Sequence, residues 1–386
     1  MKIGIDTRWI FREMSGIGVY TTELIRHLAQ IDRQNRYILF FNDQEPLKKI
    51  QAEIASAGAD NFRTVLLNFG LFSIKNQFAM PGVIKALELD VFHSPNYMIP
   101  LYAFPRARRG KTACVINLHD LIPLIFPKAT PRALKTRFFP LYCRLMKEVT
   151  ARSDLIITAS NSAQNDIINL LHGRPERIAV IPDGVSERFR PAETGSLPDR
   201  DQRFARRKKI VLWVGRQDPY KNLVGLMEAF AMLRGRYRGE LELRLAGPRD
   251  DRYPEAFRRI SDLGINDAVT WIGYVSDSDL VREYQNANVF VLPSMYEGFG
   301  LTVLEAFACG TPVVCSNKSS LPEVCGSAAI QVDPLDTHAI CEAMLGVLTD
   351  PRLAADLSSR GLQQASKFNW RETARHTMRA YEQAIQ

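Results

Sequence analysis

Short apolar runs alternate with longer stretches of helical character along the whole chain, which predicts βαβ units and parallel sheets. In the first half the runs Lys2–Asp6, Tyr37–Phe41, Thr64–Leu67, Val91–His93, Cys114–Leu118, Leu155–Thr158 and Ala179–Ile181 read as strands. Gly18–Ile31, Pro131–Arg152 and Ser162–Leu171 read as helices. The stretch Phe189–Lys208, rich in Arg, Pro, Asp and Gly, breaks the alternation and reads as a linker. Strands resume at Ile210–Val214, Glu242–Ala246, Val269–Trp271, Val289–Leu292, Val313–Cys315 and Ala329–Gln331, with helices between them. Three helices, Leu335–Thr349, Pro351–Lys367 and Trp370–Ile385, close the chain. The expected architecture is α/β, with two Rossmann-like domains facing a central cleft at the carboxyl ends of their strands. The domains are residues 1–188 and 209–368, joined by the linker 189–208, and the closing helix 369–386 is expected to pack back on the first domain.

A length of 386 residues suits two such cores, and 46% apolar with 24% charged residues is a globular composition. No apolar run reaches the roughly 18 residues of a membrane span. The start, Met1–Asp6, reads as a strand and not as a cleavable leader, so a cytoplasmic location is expected. The six cysteines form no CxxC pair and sit mostly in apolar segments, as buried thiols of a reducing compartment do. Residues 1–188 carry 25 Lys and Arg against 17 Asp and Glu, while the remainder carries 25 of each. The whole net charge of +8 therefore belongs to the first half.

The segment Pro293–Val314, PSMYEGFGLTVLEAFACGTPVV, carries the densest chemistry. An apolar strand leads into a Gly-flanked turn holding Glu297, and a helix then holds Glu305 eight residues on. A strand, a Gly turn and a helix start expose backbone N–H groups to an anion. Two carboxylates beside such a turn call for a ligand with both phosphate and hydroxyls. Gly215–Asn222, GRQDPYKN, places Arg216 and Lys221 around another strand-to-helix turn, where they suit a diphosphate or form two surface cations. Gly16 and Gly18 open a helix in Ser15–Gly18 and let phosphate approach backbone amides, or mark a plain helix start. His119, followed by Asp120, ends a strand on the side where α/β sheets hold ligands. The other histidines show no metal spacing.

Two Asp-x-Asp triplets occur, Asp277–Asp279 and Asp199–Asp201. The first reads as a cap opening a helix at Leu280 and the second falls in the linker, so no metal is expected. Arg132–Arg152 mixes six cations with an aromatic face, and Pro105–Lys111 adds a basic cluster. Such a helix fits an anionic membrane surface or an ordinary amphipathic packing face. No nucleic-acid motif or stacking platform is present.

GRQDPYKN followed by EGFGLTVLEAFACGTPVV closely resembles the retaining glycosyltransferases of family 4, whose E-x7-E motif Glu297 and Glu305 reproduce. SGIGVY (Ser15–Tyr20), LHD (Leu118–Asp120), IPDGV (Ile181–Val185) and the closing Phe368-Asn369-Trp370 helix are similar to that family as well. The resemblance implies the two-domain GT-B fold, with the donor nucleotide held mainly by the second domain. It places Glu305 on the ribose hydroxyls, and Glu297 with the amides of Gly298, Phe299, Gly300 and Leu301 on the sugar. It places Arg216 and Lys221 on the diphosphate, Gly16 and Gly18 closing on it, and His119 over the sugar. Where the family's junction motif often has Asn, this chain has Asp183.

The expected activity is transfer of a hexose, first mannose from GDP-mannose, to a glycan or lipid-linked glycan, with the nucleotide sugar as substrate and no cofactor. UDP-sugars are the rival donors, and a binding module that kept the cleft without turnover is the non-enzyme alternative. Both carboxylates are committed to hydroxyls, which leaves no carboxylate for a double displacement. Same-face attack is therefore expected.

Overall fold

The computed structural model describes residues 1–12, 15–106, 110–127, 138–192 and 208–386. The chain forms two compact units. One comprises Met1–Leu124, Phe138–Gly184 and Asn369–Gln386, and the other Ile125–Arg137 and Val185–Phe368.

Each unit is a wholly parallel sheet with helices around it. The first sheet contains β1 (Lys2–Ile5), β2 (Arg36–Phe41), β3 (Phe62–Leu66), β4 (Val91–Ser94), β5 (Ala113–Asn117), β6 (Leu155–Thr158) and β7 (Ile178–Val180), in the order β3-β2-β1-β4-β5-β6-β7. The second contains β8 (Lys208–Val214), β9 (Glu240–Ala246), β10 (Val269–Gly273), β11 (Val289–Leu292), β12 (Val313–Ser316) and β13 (Ile330–Val332), in the order β10-β9-β8-β11-β12-β13. Strand order reverses between β1 and β4 in one sheet and between β8 and β11 in the other. Loops part to either side at such points, so a crevice opens at the carboxyl ends.

Central strands are apolar on both faces because helices cover both. Ile3, Ile5, Phe92, Val115 and Ile156 are buried in the first sheet, and Val211, Trp213, Val291 and Val314 in the second. In the second unit Leu226 and Phe230 of the helix Leu223–Arg236, and Met344 and Val347 of the helix Thr337–Thr349, close over the same core. The helix Trp370–Ile385 packs against Gly16–Ile31 within the first unit: Trp370 meets Tyr20 edge-on at 5.8 Å. A Cβ on Gly184 would stand 2.1 Å from the Trp370 backbone nitrogen, so that position admits only glycine.

Several predicted boundaries shift for local reasons. The first helix begins at Gly16, not Gly18, because the Ser15 hydroxyl accepts the Gly18 N–H and caps it. The helix at Asp277 starts three residues before the predicted Leu280, since Ser276 is its cap. Phe189, assigned to the linker, is buried against Tyr284 at 5.9 Å, and Lys208 already belongs to β8. The basic helix is described over Phe139–Arg152; the predicted residues 131–137, most of the linker and the Asp199–Asp201 triplet lie outside the described residues. Its Tyr142, Met146 and Val149 are buried, Tyr142 meeting Tyr97 edge-on at 5.9 Å.

Candidate active site

The second unit gathers the predicted charged residues at the switch point between β8 and β11. After β8 the chain turns through Pro219–Lys221 and enters a helix at Asn222, which takes a left-handed conformation at φ 56. Asparagine tolerates that region, and its side chain caps the Gly225 N–H while donating to the Pro334 carbonyl at 2.6 Å. The turn fixes Lys221. Its Nζ donates to both oxygens of Glu297, at 2.7 and 2.8 Å, with the two side chains only 13% and 11% exposed. Ser294 Oγ donates to Glu297 Oε1 at 2.6 Å. The Tyr220 carbonyl accepts the Met295 N–H at 2.7 Å, joining the two strand-end loops through backbone as well.

The Glu297 loop is braced from behind by the segment after β12. Ser319 Oγ accepts the Glu297 N–H at 2.8 Å. Ser320 Oγ donates to the carbonyls of Glu297 and Phe299, at 2.9 and 2.7 Å. Ser319 sits at φ 53, a conformation that costs a non-glycine residue roughly 1–3 kcal/mol and concentrates at functional loops. Gly300 sits at φ 115 and hands the chain to the helix Leu301–Ala308. Phe299 is buried against Phe368, so the turn Gly298–Leu301 is fixed on both flanks. Nothing in the sequence pattern pointed to Ser319 or Ser320, because their role follows from the adjacency of β11 and β12 rather than from a motif, whereas Ser294 lies in the Glu297 segment itself.

One turn into that helix, Glu305 accepts a hydrogen bond from Tyr284 Oη at 2.9 Å. Burial dominates its titration and pushes it up to about 7, with the Tyr284 hydrogen bond and Arg188 opposing. Glu305 is thus held near the point where proton and carboxylate compete. The two motif glutamates do not touch each other's partners. Glu297 is ion-paired, and Glu305 is bonded to a phenol.

Arg216 is 69% exposed, and its Nε lies 3.2 Å from the Asp218 carboxylate. The cations assigned together to a diphosphate are thus separated here, Arg216 on Asp218 and Lys221 on Glu297. Gln217 ties this loop to the one after β9, accepting the Asp250 N–H at 2.9 Å and donating to the Tyr253 carbonyl. In the Asp277-Ser278-Asp279 triplet Asp277 pairs with Arg188, and both acids lie in the first turn of their helix, favourable to its dipole.

The first unit places Gly16 and Gly18 in the opening turn of the helix after β1, where a Cβ on Gly16 would meet nothing within 4 Å. His119 follows β5. Its Nε2 lies 3.0 Å from the Pro95 carbonyl, which makes that nitrogen the donor and leaves Nδ1 with a lone pair. Burial pulls His119 below the ordinary imidazole value. Tyr20, fully buried, meets the His119 ring edge-on at 4.9 Å. Behind it His93 Nε2 is 2.6 Å from Asn117 Oδ1 and its Nδ1 is 2.7 Å from Tyr381 Oη. Burial pulls His93 down to about 4, so this chain of groups is neutral at pH 7. Asp183 is also buried, and burial pushes it up to about 7.

Comparison with known proteins agrees over both units. Residues 14–189 match the family described as Glycosyltransferase Family 4, and residues 198–364 match Glycosyl transferases group 1. O-antigen chain mannosyltransferase B of Escherichia coli is 30% identical over 393 residues, covering 99% of each chain. Among solved structures, sucrose-phosphate synthase from Thermosynechococcus elongatus superposes with a TM-score of 0.76 at 21% identity, over 99% of this chain and 98% of that one. Anabaena HepE in complex with UDP-glucose gives 0.74 at 17% identity, over 98% of each. Two parallel α/β units that match glycosyltransferase family models in turn, in a chain similar end to end to a mannosyltransferase, define an enzyme of the GT-B glycosyltransferase type. Within that class, the chain belongs to family 4 of the glycosyltransferases.

Proposed function

We propose that the chain transfers mannose from GDP-mannose to a growing glycan or lipid-linked glycan, with retention at the anomeric carbon and without a metal. The observation that carries this reading is the Lys221–Glu297 pair at the β8/β11 switch point, set in a chain similar end to end to an O-antigen chain mannosyltransferase. Ionised Glu305 accepts the ribose hydroxyls. Glu297 and the amides of Gly298, Phe299, Gly300 and Leu301 take the sugar hydroxyls, and the loops Gly247–Arg252 and Gly273–Val275 take the base. Arg216 and Lys221 neutralise the diphosphate, and the helix start at Gly16 and Gly18 offers backbone amides to a phosphate. His119, neutral with a lone pair on Nδ1, accepts a hydrogen bond from the sugar.

The acceptor hydroxyl oxygen forms a bond to the anomeric carbon as the bond from that carbon to the β-phosphate oxygen breaks. The proton of the hydroxyl passes to a phosphate oxygen of the leaving nucleoside diphosphate, on the same face. The charge growing on that diphosphate is the quantity to stabilise, and preorganised cations with helix-terminal amides do so.

A second reading, transfer from a UDP-sugar, is favoured by the fold shared with HepE, which was solved with UDP-glucose. Thermal shift against GDP, UDP, ADP and TDP separates the two, because a ligand stabilises in proportion to its occupancy. GDP is expected to give the largest rise, and transfer from GDP-mannose is expected to vanish in Glu297→Ala. A larger rise with UDP moves the donor to the second reading. Indifference to all four, or a covalent glycosyl adduct on any side chain, overturns the mechanism.

A further inference from the structure

We infer that Tyr284 is a positioning residue for the donor: its hydroxyl holds the Glu305 carboxylate in the plane that meets the ribose of the nucleotide. The inference rests on the placement of Glu305 against the ribose proposed above. Tyr284 lies in the last turn of the helix Asp277–Asn286 and is fully buried, while Glu305 is half-buried. The carboxylate can reach a ligand and the phenol cannot, so Tyr284 acts on the ligand through Glu305.

The phenol stands among aromatic rings, Phe189 edge-on at 5.9 Å and Phe290 edge-on at 5.5 Å, where a phenylalanine would pack as well. A hydroxyl in such surroundings costs free energy unless it is bonded, and here its partner is Glu305 Oε2 at 2.9 Å. Backbone fixes the other end of the residue. Thr311 Oγ1, in the segment after the Glu305 helix, donates to the Tyr284 carbonyl at 2.6 Å. Tyr284 is thus tied at its carbonyl and at its hydroxyl to the stretch that carries Glu305. A carboxylate offers about four lone-pair sites, and a rigid donor on one of them sets the orientation of the rest.

The same hydrogen bond favours the ionised carboxylate, the form that accepts from two hydroxyls at once. It counters the burial that lifts Glu305 to about 7. The other charged groups facing Glu305 are Arg188, which favours the ionised form, and Asp277, which opposes it, and these two pair with each other. The Cys309 thiol, one turn beyond Glu305, faces Tyr284. Without the phenol this balance moves toward the proton.

Titration calorimetry with GDP and 2′-deoxy-GDP from about pH 5.5 to about pH 9 tests it, with the UDP pair instead where UDP is the tighter ligand. Wild type is expected to bind the 2′-deoxy form about tenfold more weakly, and to lose affinity as pH drops below 7. In Tyr284→Phe, which keeps the ring packing, that loss is expected to begin about one pH unit higher and to weaken GDP by about 5- to 10-fold at pH 7. Most of the loss should return near pH 9, and at pH 7 the ribose preference should shrink to about threefold or less. Tyr284→Phe added to Glu305→Gln should cost less than about twofold more, because the group it acts on is gone. A purely structural role for the phenol would weaken binding at every pH and in both backgrounds, and that result overturns the proposal. So does an unchanged pH limb with an unchanged ribose preference. Equal binding of the two forms by wild type instead removes the ribose contact, and the placement of Glu305 falls with it.

Discussion

The strand ends of the two units solve different physical problems. In the second unit Lys221, Glu297, Arg216, Asp218 and Glu305 collect around one switch point, and their geometry is set by short loops and serine hydroxyls. In the first unit Tyr20, His93, Asn117, His119 and Tyr381 collect around another, as a neutral chain buried under the last helix of the protein. One end is built to meet charge, and the other to hold an imidazole uncharged and oriented. Charge can be prepared locally by a motif. A neutral buried network needs partners from wherever the fold brings them.

The sharpest break in this contrast is at Lys221. Lys221→Ala leaves the mostly buried Glu297 without its cation, and removing one partner of a buried pair costs on the order of 3–5 kcal/mol. Transfer is expected to fall by about a thousandfold or more, since the lysine also meets the diphosphate. The double variant with Glu297→Ala should lose little beyond either single one, because the two groups act as a unit. Additive losses in kcat/KM would separate the pair and sink the shared role.

The next is Glu305, where stability and function pull apart. Its folded value near 7 lies above that of an unfolded carboxylate, so the fold favours the proton. Its contribution to stability is therefore full below the ordinary carboxylate range and is lost as pH rises through 7. Glu305→Gln should raise the unfolding midpoint at pH 8 relative to wild type and change it little at pH 4. Donor affinity, which needs the carboxylate, should fall about 10- to 100-fold in the same variant, and in wild type should weaken as pH drops below 7. A midpoint difference that does not depend on pH would remove the linkage.

The smallest effect is expected in the first unit. Tyr381→Phe deletes the hydroxyl on His93 Nδ1 and leaves a buried acceptor unmet, a loss of about 1–3 kcal/mol in urea unfolding. Turnover at saturating substrate should stay near wild type, because the ring remains in place.

The same contrast explains what could be read before any coordinates. The parallel sheets followed from apolar runs between helical segments, since strands covered on both faces have little room for polar residues. Glu297, Arg216 and Lys221 stood in local turns marked by glycine and proline, and Glu305 in the helix that follows one of them. Ser319 and Ser320 did not, because a hydroxyl that braces a neighbouring strand's loop leaves no periodicity. Tyr381 and His93, 288 residues apart, could not be paired by any local rule. Burial raised a different blind spot: Asn76 is hidden while Ile74 and Phe78 are displayed, opposite to what composition leads one to assume.

The return of the last helix has a consequence for how the protein can be divided. The longer excursion of the backbone into the second unit begins at Val185 and ends at Phe368, and the Val185 N–H donates to the Phe368 carbonyl at 3.2 Å. The two ends of that long excursion therefore meet like the ends of a closed loop. Residues 185–368 are therefore an insertion with adjoining ends, although the second unit also takes in Ile125–Arg137. The first unit depends on the chain's return. Cutting the chain after Phe368 takes Trp370 and Tyr381 out of its core, so a truncation that looks like trimming a tail would remove a structural wall.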